Sequence, residues 1–148
     1  MRPMTVTEFL GTAVPFLAGL TAEQYKILAQ AVDQQVYNKG QTVLFKGVTV
    51  DGLYVLAQGK VSIHVKPEKN KDWVQVAELG SGEVFGETSI VEMTTAGATV
   101  KGAEDQTLIF MIPQECFRDI LAANPEFLAR VQQVIDSRKA KPAAPPPA

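Results

Sequence analysis

An α+β fold, a small antiparallel barrel or double-sheet jelly roll flanked by helices, is what this chain predicts, on three observations. Between residues 36 and 112 the apolar residues fall in short, β-rich runs with glycine at the turns. Before and after that stretch the apolar spacing becomes helical, with recognisable start signals. Short strands that recur at even spacing, separated by Gly turns, are the pattern of barrels and jelly rolls.

The helical lead comes first. Thr5-Val6-Thr7-Glu8 reads as a capping box and predicts a helix over residues 6–13. Pro15-Phe16-Leu17-Ala18-Gly19-Leu20 is an apolar turn. Thr21-Ala22-Glu23-Gln24 is a second capping box, with Leu20 and Tyr25 placed as a hydrophobic staple. Ile27, Leu28, Ala31 and Val32 continue at helical spacing, so this helix is expected to reach about residue 34. The stretch Phe9 to Leu20 is apolar, but Glu8 precedes it and Gly11 and Pro15 interrupt it. It reads as folded chain rather than a cleaved leader.

Strands are expected at Val36-Tyr37, Thr42 to Phe45, Gly52 to Leu56, Val61 to Val65 and Trp73 to Leu79. Pro67 to Asp72 reads as a charged hairpin loop. Two more strands follow at Ala98–Lys101 and Leu108–Ile112, and Pro113 ends the series. Gln114 to Ala123 then carries Phe117, Ile120 and Leu121 on one helical face. Asn124-Pro125-Glu126 restarts a helix, with Asn at the cap and Pro at the first position. Its apolar stripe is Phe127, Leu128, Val131, Val134 and Ile135. Lys141-Pro142 opens a Pro/Ala-rich tail expected to be disordered or polyproline. The chain thus divides into an N-terminal helical segment (1–20), a globular domain (21–139) and a tail (140–148).

Composition narrows the function. A net charge of −2 over 148 residues provides no field for nucleic acid or anionic membrane. No apolar run approaches membrane-spanning length. The single cysteine, Cys116, excludes an internal disulfide and points to a reducing, cytoplasmic setting. His64 is the only histidine, so a jelly roll of this sequence cannot assemble the several imidazoles of a cupin-type metal site. No nucleophile elbow is present. The expectation is a non-catalytic protein.

The chemistry concentrates between Gly80 and Gly102. Gly80-Ser81-Gly82 turns into Val84-Phe85, and Gly86-Glu87-Thr88-Ser89 opens a short helix through Ile90-Val91. Unpaired amides at such a helix start can hold an anion. Glu87 fits better as an acceptor for the hydroxyls of a sugar. A polar connection, Glu92 to Ala96, leads back to Ala98-Thr99-Val100.

Phe85-Gly86-Glu87-Thr88-Ser89-Ile90, ending in Ala98-Thr99-Val100, resembles the phosphate-binding cassette of the cyclic nucleotide-binding domain family. Pro-Phe-Leu-Ala-Gly-Leu-Thr at residues 15–21 and Gly59-Lys60-Val61 are similar to further signatures of that family, and the resemblance covers about residues 15–138. It implies a β-roll with flanking helices and a regulatory role. In such a domain Glu87 would accept from the ribose 2′-hydroxyl, with the amides of Gly86, Thr88 and Ser89 toward the cyclic phosphate. The family's cassette arginine, counted back from Ala98-Thr99-Val100, falls on Ala96. Lys101 alternates to the other face of its strand, and residues 72–100 hold no other Lys or Arg.

The resemblance therefore implies a site made of Phe85, Gly86, Glu87, Thr88, Ser89, Ala96, Gly97 and Ala98 in which cAMP, cGMP or another small anionic ligand binds weakly. The alternative is a protein-interaction module that has kept the fold and lost the ligand. The last helix is the expected route to a protein partner or a homodimer.

Overall fold

The computed structural model describes residues 5–66 and 72–140, the side chains of 138–140 excepted. The Pro/Ala-rich tail from Lys141 and most of the charged hairpin loop, residues 67–71, lie outside the described residues. Helix α1 (Val6–Thr12) starts where Thr5 Oγ1 accepts from the Glu8 amide at 3.1 Å. A 3-10 turn (Pro15–Leu17) leads to α2 (Ala22–Ala31). There the capping box is complete: Gln24 N donates to Thr21 Oγ1 at 3.1 Å and Thr21 N donates to Gln24 Oε1 at 3.0 Å. Tyr25 does more than pack on Leu20. Its hydroxyl donates to the Leu17 carbonyl at 2.7 Å and accepts from Leu20 N at 3.4 Å, fastening the turn to the helix.

The strands are β1 (Asp33–Tyr37), β2 (Thr42–Leu44), β3 (Gly52–Gln58), β4 (Val61–Val65), β5 (Val74–Leu79), β6 (Val84–Phe85), β7 (Thr99–Gly102) and β8 (Thr107–Pro113). Helix α3 (Glu87–Glu92) follows β6, and α4 (Gln114–Ala123) and α5 (Pro125–Ala140) close the order. The strands form two four-stranded antiparallel sheets, β1-β8-β3-β6 and β2-β7-β4-β5. With the flanking helices this is the expected β-roll.

Two boundaries and the facing of one helix residue differ from expectation. Helix α2 stops at Ala31, because Asp33-Gln34-Gln35 pairs with Met111, Phe110 and Ile109 of β8. Poor intrinsic strand formers are held there by a ladder that begins three residues before Val36. Phe45 leaves β2 and stands 60% exposed. Ile27 turns outward on α2, whose fully buried residue is Leu28.

Five consecutive residues of β3, Gly52 to Leu56, are buried, so both faces of this strand meet protein. A side chain on Gly52 would run into the Ile112 carbonyl of the paired β8. The helices add an aromatic cluster in which Phe16, Phe117 and Phe127 lie 6.3 Å apart pairwise. The α5 stripe divides. Phe127, Val131 and Ile135 are buried, whereas Leu128 faces outward. Asn124 caps the helix as expected, its Oδ1 accepting from Phe127 N at 3.1 Å. Because Phe117 is fully buried at the centre of that cluster, Phe117→Ala is expected to cost about 3–5 kcal/mol. Urea unfolding of the two proteins measures it, and a loss under about 1 kcal/mol would mean the helices contribute little to the core.

Candidate functional site

The route from β6 into α3 is set by a close approach of backbones. Gly86, the helix N-cap, has φ 94°, and a Cβ there would stand 3.1 Å from the Gly52 carbonyl and 3.3 Å from the Tyr54 ring. Only glycine takes that conformation without strain. Phe85 stacks on Tyr54, its cross-strand partner, with ring centroids 4.9 Å apart and planes within 3°. Strand β6 is thereby pressed onto β3. Glu87, the next residue, begins α3 with a side chain that is 3% exposed.

These constraints leave a cavity of about 500 Å3 between β6–α3, the 96–98 loop and one face of the second sheet. That is within the size range of small-molecule sites, roughly 300–1,000 Å3. All eight residues expected from the sequence line it. Val100 also lines it and Lys101 does not, in keeping with alternation along β7. The loop that carries Ala96 is held by its backbone. Ala96 N donates to Val48 O at 2.9 Å, and its carbonyl accepts from Gly47 N at 2.8 Å. What reaches the cavity at this position is a methyl group, 4% exposed.

Ser89 contributes to the wall, but its hydroxyl donates to the Thr95 carbonyl at 3.1 Å and braces the loop. Helix α3 has six residues, too few to build up a substantial dipole at its start.

Several lining residues were not foreseen. Leu44, Val100 and Ile63 form one cross-strand row, since Val100 is paired with both of the others. With Leu79 they make an apolar wall opposite the cassette. Glu83 adds a second carboxylate at the exposed rim, where it accepts from Gly80 N at 3.3 Å. Among the described residues no Lys, Arg or His lines the cavity.

The nearest structural use of a cation is behind α3. Arg118 of α4 donates to the Ile90 carbonyl at 2.9 Å. Gln114, its amide turned so that Oε1 faces the guanidinium, accepts from Arg118 at 2.8 and 3.1 Å. Gln114 N in turn donates to the Asp51 carbonyl at 2.9 Å. The cassette helix and α4 are thus joined through one side chain. Among the described residues no three of His, Cys, Asp and Glu gather into a metal-binding group. No described helix is long and apolar enough to cross a membrane. Burial, then nearby Asp119, raises the pKa of the Cys116 thiol, so the thiolate is disfavoured.

A β-roll whose cavity is roofed by a short, glycine-started helix and holds a buried glutamate defines a class of small-ligand receptor domain. The sequence profile of the cyclic nucleotide-binding domain matches residues 34–124, more than half of the chain. The chain belongs to that family. The type II regulatory subunit of the cAMP-dependent protein kinase of Drosophila melanogaster is 25% identical over 129 residues, which are 87% of this chain and 34% of that protein. The regulatory domain of Toxoplasma gondii protein kinase A, solved with cAMP, superposes with a TM-score of 0.77 at 18% identity over 91% of this chain and 48% of that one. A regulatory subunit of a cAMP-independent protein kinase A from Trypanosoma brucei superposes with a TM-score of 0.76 at 23% identity, covering 93% of this chain and 51% of that one. That structure is a triple mutant, one change being threonine to arginine, bound to cAMP in its A site. The chain spans about a third of the first of these relatives and about half of the other two.

His64 stands apart from the cavity, half-buried on β4, with Nε2 2.8 Å from Ser62 Oγ. Partial burial, and secondarily the charge of Lys101, lowers its pKa below the usual value near 6.5. The folded chain then binds fewer protons at this site than the unfolded chain does. The stability it contributes is present above about pH 6.5 and is lost on acidification through the lower folded value. His64→Gln is expected to flatten the fall in urea midpoint between neutral and mildly acidic pH. An unchanged slope would show that His64 titrates alike in both states.

Proposed function

We propose that this chain is a non-catalytic regulatory domain whose pocket keeps the sugar-binding side of its family's site and lacks the cation of the phosphate side. The observation that carries this reading is the Ala96 methyl, buried in the cavity wall while Glu87 is buried in the same wall. A charge-assisted hydrogen bond contributes about 1.5–3 kcal/mol. Loss of a bidentate arginine therefore weakens a cyclic nucleotide by roughly 10- to 1,000-fold. Glu87 accepts from ribose hydroxyls, and the Leu44–Val100–Ile63 row gives the base an apolar surface. Arg118 is the route by which occupancy of the cavity reaches α4.

A second reading is a protein-interaction module of the same fold. It is favoured by large apolar side chains left exposed beside the cassette and the loop paired with it, Met93 at 76% and Phe45 at 60%. Helix α5 is the poorer docking face of the two, because Phe127, Val131 and Ile135 are already buried within the domain.

Calorimetric titration with cAMP and cGMP up to millimolar concentration tests the first reading. Saturable, weak binding that Glu87→Ala abolishes is expected, with Ala96→Arg tightening it by roughly 10- to 1,000-fold. No binding by the folded wild type, and no gain in the arginine variant, would assign the chain to the interaction class.

A further inference from the structure

A second hollow lies between residues 93–95, the Thr49–Val50 segment and α4, and we infer that it is a binding site for a small monocarboxylate. It measures about 230 Å3, less than the roughly 300–1,000 Å3 of drug-sized sites, so its occupant is small. Ser89 is the one residue it shares with the cassette cavity, and the hydroxyl of Ser89 is tied to the Thr95 carbonyl. The hollow owes nothing to Glu87 and is independent of the reading given to that cavity. The hydroxyl-bearing Thr49, Thr94 and Thr95 line it together with Arg118. Val50 and Met93 supply its apolar surface, and no carboxylate lines it among the described residues.

The guanidinium at this hollow is held in place and only partly used. Nη2 of Arg118 donates to the Ile90 carbonyl, and Nη2 and Nε donate to Gln114 Oε1. Those bonds fix the plane of the group. Nη1, which carries two N–H donors, has no hydrogen-bond partner among the described residues, and neither have the hydroxyls of Thr49, Thr94 and Thr95. A half-buried guanidinium oriented by other bonds loses little freedom when it takes an anion, and its bonds to a carboxylate are charge-assisted. One cation answers one negative charge. Asp51 and Glu115 line the adjoining hollow, which shares Met93 and Arg118, so a dianion such as phosphate would be under-compensated here. A carboxylate carries a single charge. A short alkyl chain attached to it would cover Val50 and the side chain of Met93, which is otherwise 76% exposed.

The experiment is a titration of the whole chain with sodium butyrate, followed by amide proton–nitrogen NMR at an ionic strength held constant with sodium chloride. Butyramide and inorganic phosphate serve as comparisons. Saturable shifts centred on Thr49, Val50, Thr94, Thr95 and Arg118 are expected, with a dissociation constant on the order of millimolar. Butyramide, neutral and of nearly the same shape, should bind at least about tenfold more weakly, and so should phosphate. Arg118→Gln should weaken butyrate about tenfold or more. Because that change also removes the bond to Ile90, a second variant, Thr94→Val with Thr95→Val, keeps the guanidinium and should weaken butyrate roughly threefold. No saturation by about 0.1 M butyrate would overturn the site. Shifts centred instead on Phe85 to Glu87 and Ala96 to Ala98 would overturn it too, since butyrate would then occupy the cassette cavity. Butyramide binding as well as butyrate would overturn the role given to charge, and phosphate binding as tightly would overturn the choice of a monocarboxylate. Unchanged affinity in either folded variant would overturn the donors assigned to the site.

Discussion

The meeting of two glycines at the start of β3 is the constraint on which the site depends. Gly52 has no room for a side chain because the Ile112 carbonyl of β8 occupies it, and Gly86 comes down on the Gly52 carbonyl from the other side. Neither position tolerates bulk, and Gly86 also needs a left-handed backbone. Glu87 follows immediately, so its burial is a consequence of how closely β6 and α3 approach β3. The Tyr54–Phe85 stack holds the same junction from the strand side. A buried carboxylate in an otherwise apolar wall is costly unless it has hydrogen-bonding or charged company. A fold that brings one there by such close packing has placed it with little freedom to relax.

The cavity is consequently lopsided. One end has a buried carboxylate, Glu87, and the far wall is a cross-strand row of aliphatic side chains. The end formed by the 96–98 loop has a methyl, Ala96, on a loop whose backbone is tied at both its amide and its carbonyl. The positively charged group that packs nearest to the cassette helix, Arg118, is engaged with Ile90 and Gln114 on its other side. That charge serves attachment between helices and does not line the cavity.

What could be read from the sequence follows from how local each signal is. The cassette residues lie within fourteen positions of one another, and their turn, helix start and returning strand are all local in origin. The sheet partners are not. Nothing near Leu44 indicates that Val100 will sit opposite it, because that register is decided by pairing across more than fifty residues. The wall they form was therefore not foreseen. Strand β1 was misjudged for the converse reason. Asp33-Gln34-Gln35 has little strand propensity of its own, and only its ladder with β8 makes it a strand. Glu83 escaped notice because it precedes the two-residue strand β6 and reads as a turn carboxylate.

Arg130 of α5 lies over the Phe127 ring, 5.5 Å from its centroid, and donates to the carbonyls of Phe16 and Ala18. The turn that precedes α2 is therefore clipped to the final helix by a guanidinium, while Tyr25 clips the same turn to α2 itself. Helices α2 and α5 thus share one hinge pin. Helix α5 cannot swing away from the roll without dragging residues 16–18 along or giving up the Arg130 bonds, so its displacement carries a mechanical load set at the opposite end of the chain.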